Sequence, residues 1–188
     1  MNDIITFDNQ ASFLKWLKAN HDTSSGVWLQ LAKKGVTPPT VTYMEAIDVA
    51  LCFGWIDGQK KPHSAEHWLQ RFSPRGPRSI WSAINKAKVL VLIDAGKMQP
   101  SGLAAIETAK SNGRWDAAYE GSNKIEVPMD LQTAMDANKK ANAFFKTLSA
   151  QNRFAILFRI GNVKKAETRA RNIAKFVAML EQGKTIYP

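Results

Sequence analysis

Period-2 alternation of apolar and polar residues occurs only in the first 76 residues of this chain; beyond them every apolar pattern has the period of a helix. Val27, Leu29 and Leu31 alternate with Trp28, Gln30 and Ala32, which makes a strand with one strongly apolar face. Ile56 to Lys60 and Glu66 to Phe72 flank a polar loop as a hairpin, with His67, Leu69 and Arg71 opposing Trp68, Gln70 and Phe72. A short strand is expected at 4–7. Strands confined to one half and helices to the other imply an α+β fold, not a doubly wound parallel sheet. The expected architecture is a small antiparallel or mixed sheet with helices in the N-terminal half and an all-helical C-terminal part docked on it. The division falls at 1–126 and 127–188, with EGSNKIEVP (120–128) as the linker.

The helix signals are local and specific. Asp8 or Asn9 caps a first helix that turns Phe13, Trp16 and Leu17 inward and ends near Asn20. Thr42 and Glu45 have the spacing of a capping box, Val41 is placed as a staple onto Ala46, and Ala46, Ile47, Ala50 and Leu51 form the buried stripe. Gly54 then stands where a left-handed residue stops a helix. Ser79 is the expected N-cap of a helix to about Ala95, with Ile80, Ile84, Ala87 and Val91 as its buried face. A shorter helix follows Pro100 and ends at Gly113. Asp130, Asn138 and Ser149 are the expected caps of later helices. The last, about 163–182, presents Ala166, Ala170, Ile173, Val177 and Leu180 on one side.

Composition excludes several function classes. No run approaches 18 apolar residues, so no membrane insertion is expected. The N-terminal MNDIITFDNQ lacks the pattern of a secretory signal. The single cysteine, Cys52, excludes an internal disulfide and a cysteine metal cage, and a cytoplasmic location is the expectation. The net charge of +10 is uneven: residues 1–60 carry five Lys/Arg against six Asp/Glu, whereas 139–175 carry ten Lys/Arg and Glu167 alone as an acid. That asymmetry suits either an anionic partner or a solvated basic face.

Nucleophile, nucleotide and metal motifs are missing, and neither a metal nor a cofactor is expected. His63 and His67 are four apart across loop and strand, which holds their rings too far apart for a shared ion. The polar residues that do converge are Trp55 and Asp57 at a helix-to-strand bend, Arg71, Ser73 and Arg75 leaving the hairpin, and Ser79, Trp81 and Asn85 opening the next helix. Two readings fit them. Asp57 locks an arginine as a structural clamp, or Asp57 orients Arg71 or Arg75 so that the arginines and a helix N-terminus face an anion between Trp55 and Trp81. A second basic set, Lys164, Lys165, Arg169, Arg171 and Lys175, flanks the apolar stripe of the last helix. Nucleic acid is possible there but not favoured, since Phe176 is the only aromatic in that helix.

The stretches ALCFGWIDG, QRFSPR, SIWSAIN, GKMQPSGLAAI, NGRWDAAY, VPMDL and KKAETRARNIAKF resemble, in order and over nearly the whole chain, the signatures of the bacterial bacteriocin-protection, YdeI/OmpD-associated family. The resemblance implies a small bacterial protein tied to stress or resistance and carries no catalytic mechanism with it. The expected function is binding of an anionic small molecule or acidic group in that setting. The alternatives are a nucleic-acid module on the basic C-terminal helices and an enzyme using Asp57 in the same pocket.

Overall fold

The computed structural model describes residues 3–119 and 125–188. Most of the expected linker, residues 120–124, lies outside the described residues. The chain divides into two compact units, 1–119 and 120–188, each with its own hydrophobic core.

The first unit is built on a four-stranded sheet of β1 (Ile4–Ile5), β2 (Val27–Ala32), β3 (Trp55–Pro62) and β4 (His67–Pro74) in the order β1-β2-β4-β3. β1 runs parallel to β2 and the remaining pairs are antiparallel, so the sheet is mixed and the fold is α+β. Val27, Leu29 and Leu31 are buried, as alternation requires of a strand with one face on the core. The hairpin of β3 and β4 forms in the expected place, with one irregularity. Asp57 pairs with Phe72 but Lys60 pairs with Gln70, so β3 carries one extra residue at Gly58–Gln59. Such a bulge leaves carbonyls out of the ladder. Gln70, only 3% exposed, donates its side-chain amide to the carbonyls of Gly58 and Gln59 at 3.1 and 3.2 Å.

Local signals set the first two helices. Asn9 and Ser12 form a reciprocal cap on α1 (Gln10–Asn20), and Phe13 and Leu17 are fully buried. The Thr42–Glu45 box starts α2 (Tyr43–Cys52) as expected. Gly54 ends it with φ +73°, in the left-handed region that favours glycine. A second constraint acts on the same residue: a Cβ there would lie 2.8 Å from the carbonyl oxygen of Ser101. That carbonyl belongs to α4 (Pro100–Ser111), whose Gly102 lets it cross tightly over the end of α2, with the Gln99 N–H donating to the Cys52 carbonyl at 2.9 Å.

α3 (Ala83–Asp94) departs from expectation twice. Its cap is Ser82, whose hydroxyl accepts from Asn85 N–H, not Ser79. Ser79 instead closes a turn, its hydroxyl accepting from Gly76 N–H at 3.0 Å. The helix buries Val89 and Leu92, whereas Ile84 and Val91 of the expected stripe are 59% and 66% exposed and Ala87 is exposed too. The cause is the run Val89-Leu90-Val91-Leu92-Ile93, which wraps more than a full turn. Such a run has no unique apolar side, and packing against α2 chooses it.

The second unit holds α5 (Met129–Asp136), α6 (Lys139–Thr147), α7 (Ala150–Gly161) and α8 (Ala166–Glu181) around Leu131, Met135, Phe145, Ile156 and Ile173. Asn138 and Ser149 cap α6 and α7 through their side chains. Asp130 does not cap: Pro128 precedes α5, and Asp130 lies within its first turn. On α8, Ile173 and Leu180 are buried as expected, but Ala166 and Ala170 are exposed, and Phe176 takes the remaining core position. Buried Asn152 of α7 fixes the last residues of the chain. Its carbonyl oxygen accepts from the N–H groups of Ile186 and Tyr187 at 3.0 and 2.9 Å, and its amide donates to the Tyr187 carbonyl at 3.1 Å.

Candidate functional site

The bend between α2 and β3 places Asp57 on the inner face of the sheet. Residues opposed across an antiparallel pair share a face, so Asp57 points the same way as buried Phe72. There the hydroxyl of Tyr43, the first residue of α2, donates to Asp57 Oδ2 at 2.8 Å. Burial, and after it the Asp57 carboxylate, push the Tyr43 phenol far above its ordinary range, so Tyr43 acts as a neutral donor.

Arg75 follows the end of β4, and its backbone N–H donates to the Gly54 carbonyl at 2.9 Å. Its guanidinium lies 3.8 Å from the centre of the Trp81 ring, and Nη1 donates to the Ile80 carbonyl at 3.2 Å. Nε and Nη2 are buried and have no hydrogen-bond partner among the described residues. Burial pushes the guanidinium down to about 10, against the opposing pull of Asp57 first and Tyr119 second. It is therefore charged at neutral pH. Tyr119 joins the cluster through a bridge to Ser82, with its N–H donating to the Trp81 carbonyl. Burial raises its phenol, a hydrogen bond with Ser82 lowers it and Asp57 raises it further. Beside Arg75, Ser79 and Trp81 opens a cavity of about 230 Å³, closed on its other side by Ala105, Thr108 and Ala109 of α4.

The expected site residues thus separate. Arg75, Ser79 and Trp81 meet at the cavity, and Asp57 lies close enough to act on Arg75 electrostatically while bonded to Tyr43. Arg71 and Ser73 alternate to the opposite face of β4, so Asp57 does not orient Arg71, whose Nη2 donates to the Ser25 carbonyl. Trp55 is no pocket wall. It is 1% exposed, packs edge-on against Trp16 and donates its indole N–H to the His21 carbonyl. Asn85 contributes its backbone N–H to the Ser82 cap, and the helix N-terminus at Ser79 does not exist. Sequence reasoning missed Tyr43, Tyr119 and Ser82. Tyr43 stands inside the recognised capping box, the one signal that could have drawn attention to it.

The basic set on α8 separates too. Arg169 is held by Asp130 through Nε at 2.6 Å and Nη2 at 2.9 Å, and its Nη1 donates to the Ile160 carbonyl at 2.9 Å. Arg169 is a fastening of α8 to α5 and α7, while Lys164, Lys165, Arg171 and Lys175 are exposed.

Residues 5–105 match the family model described as a domain of unknown function (DUF8412). Residues 124–183 match the model described as Bacteriocin-protection, YdeI or OmpD-Associated. The latter likeness is therefore narrower than the expected near-complete coverage, and ALCFGWIDG and QRFSPR fall under the former model. No curated protein and no solved structure matches the chain.

Proposed function

We propose, for a chain that belongs to the family of the domain of unknown function (DUF8412), that the Arg75 pocket binds an anionic small molecule or the acidic group of a partner. One observation carries this reading: Nε and Nη2 of Arg75 are buried without hydrogen-bond partners among the described residues. These two groups form a single edge of the guanidinium, the edge that takes a carboxylate or phosphate through two parallel hydrogen bonds. Each buried donor left unmade costs roughly 1–3 kcal/mol, and a bound oxyanion relieves both. Trp81 supports the guanidinium plane, and Asp57, bonded to Tyr43, sustains its charge.

A resistance setting of the bacteriocin-protection kind is supported by the description of the model that residues 124–183 match. A cytoplasmic location fits the buried free thiol of Cys52. No described helix is long and apolar enough to cross a membrane.

The test is a thermal-shift series on the full chain with phosphate, acetate, benzoate and sugar phosphates, on wild type and Arg75→Lys. A ligand of the native state raises the melting temperature with concentration. Lysine keeps the charge and loses the two-pronged edge, so the variant is expected to melt near wild type and to lose the response. No response in wild type, an equal response in both proteins, or a large fall in the variant's own melting temperature with no anion effect each rejects the reading. The last outcome makes Arg75 a structural clamp.

A further inference from the structure

We propose that the groove between α7, α8 and the Asn152-held end of the chain is a separate site for an amphiphilic organic anion, an aromatic or acyl body with one acidic head. The groove holds about 570 Å³, within the range of roughly 300–1,000 Å³ typical of small-molecule sites. Its floor is apolar, made by Phe158 and Phe176 with Met179 and Ile186. A methionine adapts to bodies of different shape. Arg159 and Lys175 stand at its rim, both exposed, and neither forms an ion pair among the described residues.

Two acids of the second unit are committed elsewhere. Asp130 is taken by Arg169, and Asp136 Oδ1 accepts from the amides of Gln132 and Asn142 at 2.8 and 3.0 Å. The two rim cations over an apolar floor complement an anion carrying an apolar body.

The groove is also built. Ile186 forms a wall only because Asn152, 5% exposed, uses both ends of its amide on the backbone of residues 186 and 187. A buried amide is costly unless every polar atom is used, and here those atoms fix the wall. A nucleic acid fits less well. Its backbone needs a row of cations, and Arg169, which would extend the row along α8, is bound to Asp130.

This site does not rest on the Arg75 reading. All six tryptophans lie in residues 16–115, so a dye and a methyl signal report on it separately. The experiment titrates the full chain with anilinonaphthalene sulfonate, following dye emission and the methyl resonances of ¹³C-methionine. Saturable binding that shifts the Met179 methyl and is displaced by octanoate is expected. The double variant Arg159→Glu, Lys175→Glu, with both changes at exposed positions, is expected to bind at least about tenfold more weakly at unchanged circular dichroism. In Arg75→Lys the shift of the Met179 methyl, which reads this groove alone, is expected to follow the same titration as in wild type. Affinity within about twofold in the double variant, an unmoved Met179 methyl, or displacement by a single-stranded oligonucleotide but not by octanoate overturns the proposal.

Discussion

Gly54 joins two roles: its N–H donates to the Leu51 carbonyl at the end of α2, and its carbonyl accepts from the backbone N–H of Arg75. Gly54 meets two independent demands, a left-handed φ of +73° and close approach of α4. In Gly54→Ala the first demand costs about 1 kcal/mol. The new Cβ, 2.8 Å from the Ser101 carbonyl oxygen and 3.0 Å from Ala105 Cβ, adds overpacking of about 1–3 kcal/mol. A combined loss of roughly 2–4 kcal/mol is expected in urea titration. A loss below about 0.5 kcal/mol would show that α4 yields freely at this crossing. Ala105 also lines the cavity, so the variant is expected to weaken any anion response of the Arg75 pocket.

Among the elements, α3 gives the sharpest contrast between what an apolar pattern suggests and what packing selects. Ile84→Lys and Val91→Lys place charge on exposed positions and are expected to change stability by no more than about 0.5 kcal/mol. Leu92→Ala removes a buried side chain and is expected to cost about 2–5 kcal/mol. The reverse ranking in urea titration would reject the observed face. Legibility followed the range of the interaction. The Thr42–Glu45 cap, the Gly54 stop and the hairpin are set within a few residues, and the sequence shows them. The inner face of α3 depends on α2, some 40 residues earlier in the chain as in the Lys88–Asp48 pair, and no local period reveals it. The site divides in the same way. Arg75 and Trp81 are near neighbours in sequence and were legible together, whereas the bond between Tyr43 and Asp57 exists only once the hairpin folds over α2.

At the scale of the whole molecule, a net charge of +10 sets like charges against each other over distances longer than any ion pair. Three short charge pairs are formed among the described residues: Lys88–Asp48, Lys110–Glu107 and Arg169–Asp130. Raising ionic strength from about 0.01 to 0.15 M shortens the screening length from about 30 to 8 Å. That removes long-range repulsion while leaving contact pairs largely intact. The melting temperature is expected to rise over this interval when followed by circular dichroism, which reads both units. A fall would mean that the few attractive pairs outweigh the excess positive charge. Tryptophan emission is a narrower probe, because every tryptophan belongs to the first unit.

The extra residue in β3 gives the hairpin one point at which its chain length can change without a change of register. Gly58 has an ordinary φ, and a Cβ there would meet only the Arg71 carbonyl oxygen at 3.9 Å, so Gly58→Ala is expected to fold with its stability changed by less than about 1 kcal/mol. Beyond what the alanine variant keeps, deleting Gly58 removes the carbonyl that accepts from the Gln70 amide. It also brings Asp57 and Lys60 to two steps apart, matching the two steps from Phe72 to Gln70, so both keep the side of the sheet they now hold. The Gly58 deletion is therefore expected to express as soluble protein with the sheet's circular dichroism kept, and loss of soluble expression would show that the bulge itself is required.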